Sequence, residues 1–305
     1  MIGLLFSGQG EQRTGLTQDL YDSVPQYRQI IDEAGIILQQ DLAELLYDPA
    51  KAADLSSTRF GQSAILAISY GLYQLIKGSL PKKKFGIGLS LGEYSALAAS
   101  DQLNFKAALQ LTKKRGELMQ QASDLTTSKM IAIVKTDLAD IEYICSDVGS
   151  VQVANVNTPD QVVVGGPAVA VEQVAAILAD QGKRTVELNV SGAFHTPVMQ
   201  PAQEKLHIAL KQIEWQPGNF PVYSTTTQEE FFSKMITANL TKQLVSTTYF
   251  AKTLAEHSTD LNAVIELGPG KTLTSFARKT IRGIRTYRTD SYADLNKTIS
   301  ELEAM

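Results

Sequence analysis

The segment Gly88-Leu89-Ser90-Leu91-Gly92 has the residue types and spacing of a serine nucleophile. The apolar run 85–88 before it predicts a buried strand, and the run 93–99 after it predicts a helix. A G-x-S-x-G between strand and helix is a nucleophile elbow. Its glycines permit a tight turn, and the helix N-terminus favours developing negative charge. An ordinary glycine-rich turn is the alternative, and the flanking elements favour Ser90 as a nucleophile.

A serine hydroxyl needs a base to take its proton, and the chain has three histidines. His207 lies among charged residues of a predicted helix, and His257 lies at a predicted helix end. His195 lies instead in the loop 191–197, at a junction between two patterns of elements, where catalytic side chains are often presented. We therefore predict His195 as the base. No acidic residue between Ser90 and His195 follows an obvious strand of the large sheet, which favours a Ser–His dyad over a triad.

Arg115 lies on the apolar stripe of the predicted helix 104–119, four residues after Leu111. A guanidinium that faces a core needs a partner, because an unpaired buried charge is costly. The periodicity leaves two partners open: a side chain in a structural ion pair, or a substrate carboxylate bound by the planar guanidinium.

Composition excludes several classes of function. The net charge of −4 argues against nucleic acid as the main partner. No apolar stretch is long enough to span a bilayer, and the first residues lack the basic region of a signal peptide, so we expect a cytoplasmic protein without a membrane partner. The single cysteine, Cys145, excludes an internal disulfide and a multi-cysteine zinc site, and we expect a packed core thiol.

The order of predicted elements indicates an α/β fold in two parts. Strands and helices alternate up to about residue 120 and again after residue 192. Between them the pattern is β-α-β-β-α-β, which is typical of a ferredoxin-like unit, with strands at 130–134, 151–156, 161–164 and 184–190 and helices at 137–148 and 168–180. We predict a discontinuous large domain, residues 1–126 and 192–305, with a small domain, residues 127–191, inserted in it.

Six segments in order resemble the malonyl-CoA:acyl carrier protein transacylases, the loading enzymes of fatty-acid synthesis. They are FSGQG at 6–10, GLSLGEYSAL at 88–97, RGxxM at 115–119, NxNxPxQVVVxG at 155–166, GAFH at 192–195 and ELGPGK at 266–271. The resemblance covers essentially the whole chain. It implies an α/β-hydrolase-like large domain with an inserted ferredoxin-like domain.

The resemblance also implies a reaction. Ser90 would accept a malonyl group from malonyl-CoA, with His195 as general base, and pass it to the phosphopantetheine thiol of acyl carrier protein in a ping-pong mechanism. The backbone N–H groups of Gln9 and Leu91 would form the oxyanion hole, and Arg115 would bind the malonyl carboxylate. No metal or other cofactor is implied.

Three further residues gain roles from the resemblance. Phe194 is similar to the malonyl-selective form of its motif, in which a bulky ring leaves little space for an α-substituent, and Met119 would contact the substrate. The backbone carbonyl of Gln243 would orient His195, which agrees with the missing acid. Leu89 departs from the family, which usually has histidine there, and the residues after Gln243-Leu244 depart from it as well.

Acyl carrier proteins are acidic, so a basic docking surface is expected. The densest basic cluster contains Arg278, Lys279, Arg282, Arg285 and Arg288, with Lys271 nearby, and the alternative is an ordinary solvated helix face. We expect a monomer.

Other functions are alternatives to malonyl transfer. A serine esterase or thioesterase would use the same dyad but would not need Arg115. A P-loop at Gly270-Lys271-Thr272 would need glycine at position 265, which is Ile265. An inert module that binds carrier protein is a third alternative. Within acyl transfer, a polyketide pathway or malonate metabolism is an alternative to fatty-acid synthesis.

Overall fold

The computed structural model describes residues 1–304, which form two β-sheets and the helices packed around them; Met305, the last residue of the predicted large domain, lies outside the described range. The strands are β1 (Ile2–Phe6), β2 (Lys84–Gly88), β3 (Ser128–Val134), β4 (Gln152–Thr158), β5 (Gln161–Pro167), β6 (Arg184–Glu187), β7 (Val222–Tyr223), β8 (Ala263–Leu267) and β9 (Arg285–Arg288).

The helices are α1 (Gln18–Ser23), α2 (Pro25–Leu38), α3 (Leu42–Tyr47), α4 (Ala52–Ser56), α5 (Thr58–Ile76), α6 (Gly92–Ala99), α7 (Phe105–Leu125), α8 (Leu138–Val148), α9 (Ala168–Asp180), α10 (Gln200–Leu210), α11 (Ile236–Gln243), α12 (Phe250–Glu256), α13 (Thr272–Thr280) and α14 (Tyr292–Glu303). Short 3-10 turns lie at Pro49–Lys51, Lys77–Ser79 and Pro197–Met199.

The larger sheet is parallel, with the strand order β7-β2-β1-β8-β9. Every residue of β1 and of β8 is buried, as expected for strands covered on both faces, and such strands are nearly continuous apolar runs. Phe6 pairs with Gly88 on one side and with Leu267 on the other, so β1, β2 and β8 end at the same level. The loops that follow these strands therefore leave from one edge of the sheet, where open α/β sheets bind ligands.

The smaller sheet is antiparallel, with the strand order β4-β5-β3-β6. Its elements follow the predicted order β-α-β-β-α-β, with α8 after β3 and α9 after β5. Side chains alternate between two faces: Ile131 and Ile133 of β3 pack in a core with residues of α8 and α9. Met130 and Ala132, on the opposite face, join the main core of the molecule. This second face of the antiparallel sheet thus packs against the main core of the molecule.

Some boundaries differ from the predictions. The strand predicted to reach residue 190 ends at Glu187, because the N–H of Val190 bonds the carbonyl of Leu188 at 3.0 Å instead of continuing the ladder with β3. Helix α7 continues beyond the predicted end at 119 to Leu125, and it buries Ala122 in its added turns.

Two further observations concern predictions from composition. No helix in the described part of the chain combines the length and the hydrophobicity needed to cross a membrane. Cys145 is free and buried on α8, as predicted, and burial raises the pKa of its thiol to about 11.

Candidate active site

Ser90 lies in the turn between β2 and α6, at the carboxyl edge of the parallel sheet. Its φ is +54°, a left-handed conformation that costs a non-glycine residue free energy and recurs at functional sites. The flanking glycines make the turn possible. A Cβ at Gly88 would lie 1.9 Å from the carbonyl carbon of Gly92, and one at Gly92 would lie 2.0 Å from the carbonyl oxygen of Phe6. The elbow is therefore packed directly against β1.

His195 lies in the loop before the 3-10 turn 197–199, also with a positive φ of +60°, and it is buried. Its Nε2 is 2.9 Å from Ser90 Oγ, and its Nδ1 is 2.8 Å from the backbone oxygen of Gln243. A carbonyl oxygen only accepts, so the proton lies on Nδ1 and Nε2 is free to accept from the serine hydroxyl.

The environment of His195 keeps its ring neutral. Burial lowers the pKa of His195 to about 4, and the charge of Arg115 acts in the same direction, while the Gln243 carbonyl opposes both. No carboxylate hydrogen-bonds to the ring in the part of the chain that the structure describes. The site therefore contains the Ser–His pair without a third, acidic member.

Arg115 extends from α7 toward the same turn and is 1% exposed. Its Nη2 donates to Ser90 Oγ and to Gln243 Oε1, both at 3.0 Å, and its Nη1 donates to Gln62 Oε1 at 2.6 Å. The guanidinium carbon also lies 5.3 Å from the centre of the Tyr94 ring, a cation–π contact. Among residues 1–304 no carboxylate lies within 4.0 Å of the guanidinium nitrogens, so a structural ion pair does not account for this charge.

A cavity of about 580 Å³ lies between the carboxyl edge of the parallel sheet and the inner face of the antiparallel sheet. Ser90, His195 and Arg115 line it. Four other predicted site residues line it as well: Gln9, Leu91, Met119 and Phe194. Gln243 is completely buried behind the cavity wall and reaches the site through its contacts with His195 and Arg115.

The other two histidines lie elsewhere. His207 is half-buried on α10, with its Nδ1 3.0 Å from Thr241 Oγ1, and His257 stacks on the ring of Tyr223 at 3.5 Å. Within residues 1–304, no group of three or more His, Cys, Asp and Glu side chains is arranged to hold a metal ion.

The basic cluster does not form a single helix face. Arg278 and Lys279 lie at the end of α13, Arg282 lies in the following turn, and Arg285 lies on β9. All four side chains are exposed and form no ion pair with a described residue, whereas Arg288 is paired with Asp290 and Asp294.

Two residues of the site were not predicted from the sequence. Gln62 of α5 and Glu93 of α6 are both completely buried, and both belong to the hydrogen-bond network around Arg115. Each had a signal, since an amide or carboxylate in a helix rich in apolar residues needs a partner when that helix is buried. Leu89 is half-buried and packs at the edge of a small apolar cluster, lining the cavity beside Ser90.

Comparisons with known proteins agree with this geometry. Residues 4–297 match the family model described as acyl transferase domain. A malonyl CoA-acyl carrier protein transacylase of Bacillus subtilis (strain 168) is 35% identical over 292 residues, which cover 93% of this chain and 92% of that protein. A protein of the same name from Staphylococcus aureus (strain MRSA252) is 33% identical over 291 residues, 92% of this chain and 93% of that protein.

Solved structures are similar over nearly the full length. The crystal structure of MCAT from Streptococcus pneumoniae has a TM-score of 0.93 at 34% identity and covers 99% of this chain and 100% of that chain. A second structure, of the malonyl-transacylase PlMCAT in complex with the type II PKS acyl-carrier protein AntF (holo), has a TM-score of 0.93 at 30% identity, with 98% and 99% covered.

The packing of the elbow against β1 gives a prediction for stability. Replacing Gly92 with alanine forces a Cβ against the oxygen of Phe6, so we expect the free energy of unfolding to fall by about 1–3 kcal/mol or more. Gly78→Ala is the matched control, because Gly78 is exposed and a Cβ there would have no heavy atom within 4 Å. Urea denaturation of both variants measures the difference, and equal stability of the two would contradict the tight approach at Gly92.

Proposed function

The chain belongs to the acyl transferase family and, within it, to the malonyl CoA-acyl carrier protein transacylases, and we propose that it transfers malonyl groups from malonyl-CoA to the thiol of acyl carrier protein for fatty-acid synthesis. The relatives named above carry this activity in their names, and one structural neighbour is bound to an acyl-carrier protein.

The observation that carries the proposal is the buried charge of Arg115. A guanidinium held by two amide oxygens and a hydroxyl, with no carboxylate partner, is prepared for an anion from outside the chain. Because Nη2 lies 3.0 Å from Ser90 Oγ, that anion would have to be part of the group that reacts at the serine. A malonyl group has a free carboxylate two carbons from its thioester carbonyl, whereas an acetyl group has none.

In the first half-reaction, Ser90 Oγ attacks the thioester carbonyl and its proton moves to His195 Nε2, which the 2.9 Å contact prepares. The carbonyl oxygen becomes an oxyanion held by the backbone N–H groups of Gln9 and Leu91. Both residues line the cavity, and neither amide donates a hydrogen bond within the described chain. The C–S bond then breaks, and the CoA sulfur takes the proton from Nε2.

The second half-reaction reverses these movements with a different thiol. His195 Nε2 takes the proton of the phosphopantetheine thiol, the sulfur attacks the malonyl-serine ester, and Ser90 leaves with the proton that returns from the imidazole. The backbone carbonyl of Gln243 accepts from Nδ1–H throughout and stabilises the imidazolium that forms in each half.

Phe194 and Met119 shape the space next to the reacting carbonyl. Both side chains are nearly completely buried and both line the cavity. We assign to the Phe194 ring the exclusion of substituents on the α-carbon of the acyl group, and to Met119 apolar contact with the acyl chain.

We also propose the finer architecture that the sequence predicts. Residues 1–126 and 192–305 would form an α/β-hydrolase-like domain, supported by the elbow after β2 in a parallel sheet. Residues 127–191 would form a ferredoxin-like insertion, supported by the strand order β4-β5-β3-β6. A cytoplasmic location, a monomeric state and independence from metals and cofactors stay predictions.

Removing the Arg115 charge tests the proposed substrate. In Arg115→Ala we expect the rate of malonyl-serine formation to fall by about 10²-fold or more, because the malonyl carboxylate loses a charged partner. Acetyl-serine formation should fall far less or rise. Intact mass spectrometry with malonyl-CoA and acetyl-CoA measures both, with Ser90→Ala as the baseline that forms no adduct. Equal losses on the two substrates would reject a carboxylate-binding role.

The low pKa of His195 predicts unusual acid tolerance of the Ser–His pair. The neutral imidazole is the active form, so its pKa of about 4 keeps the pair active well below neutral pH, and activity is lost only as pH falls toward that value. The rate of inactivation by phenylmethylsulfonyl fluoride measures the reactivity of the Ser–His pair. This reagent has no carboxylate, so binding of a carboxylate by Arg115 does not contribute to the rate. We expect similar inactivation rates at about pH 7.5 and about pH 5.5, with circular dichroism as the control for folding. A roughly tenfold lower rate at the lower pH would indicate an ordinary histidine.

The exposed basic cluster is the proposed docking surface for acyl carrier protein. Thr272, Leu273 and Phe276 of α13 line the cavity, and Arg278 at the end of the same helix begins the cluster. Arg278 is thus the member of the cluster that follows the cavity-lining residues most closely in the chain, whereas Arg285 pairs with Ala263 at the amino edge of the parallel sheet.

Charge reversal tests this surface. In Arg278→Glu/Arg282→Glu we expect the KM for acyl carrier protein to rise about tenfold at low salt while the KM for malonyl-CoA stays the same. The matched control is Lys82→Glu/Lys83→Glu, which makes the same change in charge at exposed residues before β2, three strand positions away from β9 in the parallel sheet. Similar KM values in both variants would reject the surface.

A further inference from the structure

Glu93 is a carboxylate with no exposure, three residues after Ser90 in a helix whose residues are all buried. Its Oε1 accepts from the backbone N–H of Thr225 at 2.6 Å and from the Thr225 hydroxyl at 2.8 Å, and its Oε2 accepts from Gln243 Nε2. It does not line the cavity. The reaction described above gives this buried group no task.

The side-chain amide of Gln243 connects Glu93 to Arg115. Its Nε2 donates to Glu93 and to the backbone oxygen of Ser90 at 2.9 Å, and its Oε1 accepts from Arg115 Nη2 at 3.0 Å. An ionised carboxylate only accepts and a guanidinium only donates. The Gln243 side chain must therefore turn its NH₂ group toward Glu93 and its oxygen toward Arg115, and the flipped orientation is excluded.

We propose that Glu93 is a positioning residue for acyl-group selection: it fixes the direction of the Gln243 amide, and the amide oxygen then holds Arg115 where the carboxylate of an acyl group binds. This inference rests on the proposed function, since it concerns the same reaction and the same guanidinium.

A carboxylate is required at position 93 because of the donors on its other side. In Glu93→Gln the two donors of Thr225 would keep the amide oxygen, and the new NH₂ group would face the NH₂ group of Gln243. The Gln243 amide would either keep this contact between two donors or flip, and the flip would place its NH₂ group against Arg115 Nη2 and its oxygen against the backbone oxygen of Ser90. The backbone carbonyl of Gln243 takes no part in this flip, so His195 keeps its orientation.

The intervening amide also explains why the carboxylate is remote. A carboxylate in direct contact with Arg115 would occupy the donors that the substrate needs. Across one amide, Glu93 still stabilises the charge of Arg115 but leaves the guanidinium available. Burial raises the pKa of Glu93 to about 7, and the hydrogen bonds from Thr225 and Gln243 together with the positive charge of Arg115 oppose that rise.

The test compares malonyl-CoA with acetyl-CoA in Glu93→Gln. We expect the ratio of kcat/KM for malonyl-serine over acetyl-serine formation to fall about 10- to 100-fold, the effect of one lost hydrogen bond to a charged group. Asp290→Asn is the control, an equivalent change at a buried carboxylate that pairs with Arg288 outside the cavity. It should leave the ratio as in the unaltered protein. An unchanged ratio in Glu93→Gln, or an equal fall of both rates, would overturn the proposal.

Gln243→Met provides a second measurement if Glu93→Gln does not fold. Methionine keeps the backbone carbonyl next to His195 and removes the amide, so the same fall in the ratio is expected, and an unchanged ratio overturns the proposal. The two hypotheses fail differently. If the unaltered protein forms no malonyl adduct at Ser90, the proposed function fails; if it does and both variants keep its preference, only the role of Glu93 fails.

Discussion

The burial of one positive charge without an opposite charge in contact is the constraint around which this site is organised. The guanidinium of Arg115 is surrounded by groups from four separate elements: Gln62 on α5, Gln243 at the end of α11, Tyr94 on α6 and Ser90 in the elbow. Each offers a partial negative charge. Together they offset part of the free energy that desolvation of the guanidinium costs, as an ion pair would otherwise do. The elements that contribute these groups are thereby fixed relative to one another.

The two sheets contribute different walls of the cavity. The parallel sheet ends β1, β2 and β8 at one level, which brings the loops with Gln9 and Ser90 together at its carboxyl edge. The antiparallel sheet closes the opposite wall with the face that carries Met130 and Ala132. His195 lies where the chain passes back from the second sheet to the first, so Ser90 and His195 come from the two sides of that junction.

The sequence pointed to candidate residues where a rare residue type stood in a local pattern. The elbow glycines, His195 in its loop and Arg115 on an apolar stripe each interrupt an otherwise ordinary sequence, and the buried parallel strands are continuous apolar runs. Long-range partners were not accessible in this way, because Gln62, Glu93 and Gln243 are separated by about 30 to 180 residues and meet only in the folded chain. The end of β6 at Glu187 was also missed, since a local hydrogen bond at Val190 ended a pattern that still looked like a strand.

The partner of His195 Nδ1 is a main-chain oxygen, and this has a consequence for how the site can change over time. A catalytic carboxylate is lost with a single nucleotide change, whereas every amino acid at position 243 brings the same carbonyl group. The contact that orients the base is thus encoded by the path of the backbone. A substitution at position 243 changes only the side chain, so the group that accepts from His195 Nδ1 is kept whichever amino acid stands there.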